Sequence, residues 1–210
     1  MLRALLFTLA IALAPGALAQ SREPVILVVG DSISAAYGLP AGSGWTDLLQ
    51  QRLVAQSLPY RVVNASISGD TTAGGRERLD ALLRAHRPAI TVIELGGNDG
   101  LRGGDLDAMR ANLDAMTAAA QKAGSRVLLV GMRLPPNYGA AYVQRFADAY
   151  TSVASARKVP LVPFFFEGFA TDASLFQPDR IHPTQPAQRR LLDNVWPQLV
   201  KLVAPTAKAA

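Results

Sequence analysis

The feature that most constrains the fold of this chain is a fivefold alternation between short apolar segments and longer amphipathic ones. The apolar segments are rich in β-branched residues, which predicts strands over Val25–Val29, Tyr60–Val63, Ile90–Leu95, Arg126–Val130 and Val159–Val162. The intervening and final segments have helical spacing over Trp45–Gln56, Gly75–Ala85, Leu106–Ala123, Ala141–Arg157 and Gln185–Val203. No linker or low-complexity segment interrupts the pattern, so we expect one domain.

Strands that are hydrophobic along their whole length are typical of a parallel sheet covered on both faces. Their alternation with helices predicts an α/β fold, a three-layer α/β/α sandwich around a five-stranded parallel sheet with flavodoxin-like strand order. Sheets of this kind bind ligands outside the carboxyl ends of their strands. The residues that follow each strand are therefore the first candidates for chemistry.

The N-terminal segment 1–19 has the pattern of a secretory signal peptide. It carries one early charge at Arg3, an apolar run over Ala4–Ala14 and a small-residue cleavage site at Ala17–Ala19. The run is shorter than the roughly 18 apolar residues that a membrane-spanning helix needs, which disfavours a membrane anchor. We therefore expect cleavage after Ala19 and export.

The mature chain is predicted to be one domain over 20–204, followed by a flexible tail over 205–210. It has no cysteine, which excludes a disulfide framework and a lipid-modified N-terminal cysteine. Loss of Arg3 leaves 20 basic against 16 acidic residues, scattered along the chain, which indicates a solvated surface. We expect a bacterial periplasmic or secreted monomer with no nucleic-acid partner and only transient contact with lipid surfaces.

A serine follows the first predicted strand, in the sequence Gly30-Asp31-Ser32. In a tight turn after a strand, a serine can expose its hydroxyl while its own N–H faces the same space, as a nucleophile and part of an oxyanion hole require. Asp31 and Ser32 are equally suited to cap the N-terminus of a helix. The turn alone leaves both interpretations open.

The next two strands are followed by segments 64–70 and 96–100, which are rich in glycine, serine, aspartate and asparagine. Such residues often form simple turns. A glycine N–H and an asparagine amide are also the donors that stabilise a tetrahedral oxyanion. The strand order would bring these donors close to Ser32.

Only two histidines are available as a general base. His86 is predicted to end a helix, where a cap is the routine role, and we assign it no catalytic function. His182 lies on a loop before the last helix, three residues after Asp179, and a nearby carboxylate is what fixes the tautomer and orientation of a catalytic imidazole. A surface turn explains the same segment, so its position beside Ser32 is a prediction.

Four ordered blocks, Gly30-Asp31-Ser32, Gly69, Gly97-Asn98-Asp99 and Asp179-x-x-His182, resemble those of the SGNH, or GDSL-type, hydrolases. Segments 63–71 and 94–103 are similar to the bacterial periplasmic branch of thioesterases, lysophospholipases and arylesterases. The resemblance implies catalytic roles for Ser32, Asp179 and His182. It implies an oxyanion hole formed by Ser32, Gly69 and Asn98, with no cofactor and no metal.

The resemblance implies hydrolysis of aryl esters, short and medium acyl esters, lysophospholipids and acyl-CoA thioesters. One alternative is a carbohydrate acetylesterase of the same fold. Another is a flavodoxin-like nucleotide-binding module without hydrolase activity, although the chain lacks both G-x-G-x-x-G and the P-loop consensus. Leu134 and Tyr138, in the loop after the fourth strand, are expected either to line an acyl groove or to anchor that loop on the core.

Overall fold

The computed structural model describes residues 23–203. The predicted signal peptide over 1–19 and the predicted tail over 205–210 lie outside the described residues, so both stay predictions. No helix in the described part of the chain combines the length and the hydropathy needed to cross a bilayer.

One parallel sheet forms the centre of the fold. Its strands are β1 (Val25–Gly30), β2 (Arg61–Asn64), β3 (Ile90–Glu94), β4 (Arg126–Val130) and β5 (Leu161–Val162). The strand order is β2-β1-β3-β4-β5 with every neighbouring pair parallel, which confirms the predicted flavodoxin-like order. All strands therefore end at the same edge of the sheet, called the carboxyl edge below.

Helices cover both faces of the sheet. They are α1 (Trp45–Ala55), α2 (Thr72–His86), α3 (Gly97–Leu101), α4 (Leu106–Lys122), α5 (Ala140–Arg157) and α6 (Gln185–Leu199). Two 3-10 turns lie at Pro136–Tyr138 and Ala173–Leu175. The predicted three-layer sandwich is therefore confirmed.

The alternation of side chains along β1 explains the two cores. Leu27 and Val29 pack with α2, α4 and α5 on one face, whereas Ile26 and Val28 pack with α1 and α6 on the other. Because β1 and β3 are interior strands, both are buried along their whole length. This burial holds the carboxyl edge in place.

Burial on both faces was expected of every strand, and for β2 this prediction is wrong. Arg61 and Asn64 are exposed and the two valines between them are only half-buried, because β2 is an edge strand. The short fifth strand also differs, since it begins at Leu161 and not at Val159. Lys158 adopts a left-handed conformation that closes α5, and Pro160 has no N–H for a strand ladder.

Several helix ends also differ from the sequence prediction. Helix α2 begins at Thr72, three residues earlier than predicted, because the Thr71 hydroxyl accepts a hydrogen bond from the Gly74 N–H and caps it. Helix α6 ends at Leu199 and not at Val203. The short helix α3 was predicted only as a turn, and it carries one of the candidate site residues.

Candidate active site

The segment after β1 forms consecutive turns and no regular helix. The Ala35 N–H donates to the Asp31 carbonyl over 2.9 Å, and the Tyr37 N–H donates to the Ser32 carbonyl over 3.1 Å. The Asp31 carboxylate accepts the Ile33 N–H over 3.0 Å, which closes a local turn around Ser32. Helix capping therefore describes this segment poorly, since the next regular helix starts only at Trp45.

The structure brings Ser32, His182 and Asp179 together at the carboxyl edge. His182 Nε2 lies 2.9 Å from Ser32 Oγ, and His182 Nδ1 lies 2.7 Å from Asp179 Oδ2. With Nδ1–H donating to the carboxylate, Nε2 is the acceptor that faces the serine hydroxyl. This is the arrangement in which an imidazole can take a proton from a serine.

Asp179 is held by the backbone of its own loop. Its Oδ1 accepts the N–H groups of Ile181 over 2.9 Å and of His182 over 3.0 Å. The His182 backbone bond is the main cause that lowers the pKa of Asp179 to about 2, so this carboxyl is ionised at any pH of interest. An ionised, fixed acceptor is what orients the imidazole.

The loop that carries His182 is tied to the turn that carries Ser32 by residues that the sequence prediction missed. The Gln177 N–H donates to the His182 carbonyl over 2.7 Å, and the Gln177 side-chain amide donates to the Tyr37 carbonyl over 2.8 Å. The Tyr37 ring covers the imidazole at a centroid distance of 4.6 Å while remaining 53% exposed. These contacts bring a loop that follows a long detour from β5 back to Ser32.

Asn98, at the start of α3, faces the same region. Its side-chain amide donates to Asp31 Oδ2 over 3.2 Å and to the Asp70 carbonyl over 3.0 Å. Gly69, which precedes Asp70, has a φ of +81° that favours glycine, and its carbonyl accepts from the Arg102 guanidinium over 3.1 Å. The loops that carry Asn98 and Gly69 are therefore joined through Asp70.

Two buried carboxyl groups lie beneath the turn that carries Ser32. Glu94, at the end of β3, accepts the Ser34 hydroxyl over 2.6 Å, and the Trp45 indole N–H donates to the same hydroxyl over 3.1 Å. Burial raises the pKa of Glu94 well above its ordinary value, and the neighbouring Asp31 adds to the shift. Burial also raises the pKa of Asp31, to about 6. In the sequence, the feature that distinguishes Glu94 is its charge within the apolar run of the third predicted strand.

Asp31 supports the site, because its carboxylate accepts the Ile33 N–H of the turn and the Asn98 amide. Leu134 is buried in the core, and the Tyr138 hydroxyl donates to the Leu101 carbonyl over 2.9 Å, so both act as anchors. His86 is the last residue of α2, ahead of β3 and thus at the opposite edge of the sheet. Within residues 23–203, no group of three or more His, Cys, Asp or Glu side chains is arranged to hold a metal ion.

A parallel sheet in this order, with serine, glycine, asparagine and histidine at its carboxyl edge, defines the SGNH class of hydrolases. The sequence profile of the GDSL-like lipase/acylhydrolase family matches residues 28–190. This chain belongs to the GDSL-like lipase/acylhydrolase family. It is therefore an enzyme, a carboxylic ester hydrolase, and the alternative of a nucleotide-binding module without hydrolase activity is wrong.

Three curated relatives match most of the chain. Esterase TesA from Pseudomonas aeruginosa is 53% identical over 184 residues, which cover 88% of this chain and 92% of the relative. The arylesterase of Vibrio mimicus is 39% identical over 87% of this chain and 92% of its own length. Thioesterase 1/protease 1/lysophospholipase L1 from Escherichia coli K12 is 40% identical over 85% of this chain and 84% of its own length.

Solved structures show the same architecture. The crystal structure of TesA has a TM-score of 0.83 at 54% identity, covering 85% of this chain and 99% of that chain. AlinE4, an SGNH-hydrolase family esterase, has a TM-score of 0.72 at 37% identity, covering 87% of this chain and 98% of that chain. The expected SGNH hydrolase fold is thereby confirmed.

Proposed function

We propose that this chain is an exported serine esterase in which Ser32 is the nucleophile, His182 the general base and Asp179 the residue that orients the base. The observation that carries the proposal is the position of His182, whose two ring nitrogens lie 2.9 Å from Ser32 Oγ and 2.7 Å from Asp179 Oδ2. A single imidazole bridging an alcohol and an ionised carboxylate is suited to proton transfer from that alcohol.

The reaction proceeds in two halves through an acyl-enzyme. Ser32 Oγ attacks the carbonyl carbon of the ester while His182 takes the hydroxyl proton, and His182 then returns that proton to the leaving alcohol. In the second half, water gives its proton to His182 and attacks the acyl group, and the serine leaves with the proton restored. Asp179 stabilises the imidazolium in both halves because its low pKa keeps it charged.

The negative oxygen of each tetrahedral intermediate is stabilised by the N–H groups of Ser32 and Gly69 and by the Asn98 side-chain amide. The two N–H groups of that amide donate to Asp31 Oδ2 over 3.2 Å and to the Asp70 carbonyl over 3.0 Å. We propose that the oxyanion replaces Asp31 as the acceptor of the longer bond, while the Asp70 carbonyl holds the plane of the amide. Donors that are oriented in advance contribute most to such stabilisation, because no reorganisation is needed as the charge develops.

The substrates we propose are aryl esters, short and medium acyl esters, lysophospholipids and acyl-CoA thioesters. The names of the relatives, an esterase, an arylesterase and a thioesterase/lysophospholipase, support this range. We further propose that the protein acts as a metal-free, cofactor-free monomer in the periplasm after removal of residues 1–19. Contact with lipid surfaces is then transient, and nucleic acid is not a partner.

The test is hydrolysis of p-nitrophenyl esters from acetyl to dodecanoyl by the protein lacking residues 1–19, with and without a chelator. Ser32→Ala should lower kcat by at least about 10³-fold. Ser155→Ala, an exposed serine on α5, is the matched control and should retain full activity. Activity that survives Ser32→Ala would refute the proposed nucleophile, and activity that is lost beyond very short acyl groups would favour the carbohydrate acetylesterase.

A further inference from the structure

Arg78 lies on α2, and the mechanism proposed above does not use it. Its side chain is only 20% exposed, and its guanidinium points toward the carboxyl edge of the sheet. Nε donates to Asp70 Oδ2 over 2.8 Å, Nη1 donates to the Ala65 carbonyl, and Nη2 lies 3.4 Å from the Gly30 carbonyl. One side chain thus binds the ends of both β1 and β2.

The acceptors of Arg78 lie on either side of the proposed catalytic groups. Gly30 precedes Ser32 by two residues, while Ala65 and Asp70 stand at the two ends of the loop that contains Gly69. The Asp70 carbonyl accepts the Asn98 amide over 3.0 Å. Arg78 therefore holds the side chain of the residue whose backbone carbonyl accepts the Asn98 amide.

The geometry of this contact requires arginine. A guanidinium is a rigid planar fork with several donors, so it can bind a carboxylate and two carbonyls at once, whereas a lysine ammonium acts as a point charge on a flexible stem. The start of α2 is shaped to admit the partner, because a Cβ at Gly74 would lie 2.1 Å from Asp70 Oδ1. Glycine at 74 leaves the Asp70 carboxyl free to turn toward Arg78.

We propose that Arg78 is a positioning residue for the hydrolysis reaction: by fixing Asp70, it holds the Asn98 amide in the orientation that stabilises the oxyanion. This inference rests on the proposed function, since it assumes that Asn98 is an oxyanion donor. It adds a residue that touches neither the substrate nor the reacting atoms. The proposed effect on Asn98 runs through Asp70 and is separate from the contacts of Arg78 with Ala65 and Gly30.

A positioning role and a merely structural role predict different kinetics. If Arg78 only stabilised the fold, its replacement would lower the melting temperature and leave the kinetics of the folded enzyme unchanged. If it orients an oxyanion donor, replacement lowers kcat and leaves KM nearly constant, because the affected interaction exists only in the transition state. Loss of a whole donor costs about 10²- to 10³-fold in kcat, so a misaligned donor should cost about tenfold.

The experiment measures kcat and KM for p-nitrophenyl butyrate with Arg78→Lys, Asn98→Ala, the double variant, Ser32→Ala and Arg84→Lys. Arg84 is an exposed residue on the same helix, so its replacement by lysine is the matched control and should change neither constant. We expect Arg78→Lys to lower kcat about tenfold in the wild-type background and less than threefold in the Asn98→Ala background, because coupled residues are not additive.

Equal losses of kcat in both backgrounds, or a kcat within threefold of wild type for Arg78→Lys, would overturn the inference. If Arg78→Lys does not fold, Asp70→Asn weakens the same contact and is judged by the same criteria. Activity retained by Ser32→Ala would instead refute the proposed function, so the two failures are distinguishable.

Discussion

Asp31 offers a direct test of how the site balances stability against activity. The residue is 3% exposed, and burial raises the pKa of its carboxyl group from the ordinary value of 3.8 to about 6. The His182 imidazole lies close enough to favour the charged form of Asp31, and the Asn98 amide does the same. We therefore expect Asp31 to be ionised at the pH of activity, at a cost to folding.

The sign and size of this cost follow from the pKa values. Between 3.8 and about 6, the folded state binds more protons at Asp31 than the unfolded state does, so the free energy of unfolding falls as the pH rises through this window. At about 1.36 kcal/mol per pKa unit, the total loss is about 3 kcal/mol. Most of that loss of stability falls between pH 4 and pH 7. A variant without an ionisable group at position 31 should not show it.

Asp31→Asn removes the titration and retains an oxygen for the Ile33 N–H. The free energy of unfolding of both proteins is measured with urea at pH 4 and pH 7. From pH 4 to pH 7, that of the variant should rise by about 2 to 3 kcal/mol relative to that of wild type. Esterase activity at pH 8 should fall, because the negative charge that helps to stabilise the His182 imidazolium is gone. A stability difference that is the same at both pH values would refute the argument.

Two further changes test the supports of the site. Asp179→Asn should lower kcat by roughly 10³- to 10⁴-fold with little change in melting temperature, because the imidazole loses its charged acceptor while Oδ1 remains for the Ile181 and His182 N–H groups; a kcat within threefold of wild type would contradict its orienting role. Gly74→Ala should lower both the melting temperature and kcat, because the alanine Cβ would lie 2.1 Å from Asp70 Oδ1. In an ordinary helix the same change would be favourable by about 1 kcal/mol. A more stable, fully active Gly74→Ala enzyme, measured by calorimetry and ester hydrolysis, would show that Asp70 moves freely.

The sheet was predictable from sequence because local patterns determine it. Interior strands such as β1 and β3 need apolar side chains on both faces, and this requirement appears as an unbroken apolar run. The edge strand β2 has a polar residue at each end, and the sequence pattern did not predict that these residues are exposed. Its position in the sheet is a long-range property, and a segment only four residues long contains too little pattern to reveal it.

The supports of the site were less predictable than its chemical groups. Ser32, Asp179 and His182 stand out because their residue types follow strands or lie three apart, whereas Arg78 appears in the sequence as an ordinary charged position on an amphipathic helix. Its contact with Gly30 joins residues 48 positions apart in the chain, and only the strand order brings them together. Local periodicity cannot indicate such a contact.

Several unfavourable features of this fold lie at the carboxyl edge. Asp31 and Glu94 are buried acids, and Arg180 adopts a φ of +59°, a left-handed conformation that costs a non-glycine residue on the order of 1 kcal/mol. The two acids each accept more than one hydrogen bond, and the Arg180 turn lets Asp179 accept two successive backbone N–H groups. Because the apolar layers on both sides of β1 supply the stability, the edge can keep groups in the orientations that acyl transfer needs. Substitutions of the proposed catalytic groups should therefore affect activity more than stability, and substitutions in the layers should do the reverse.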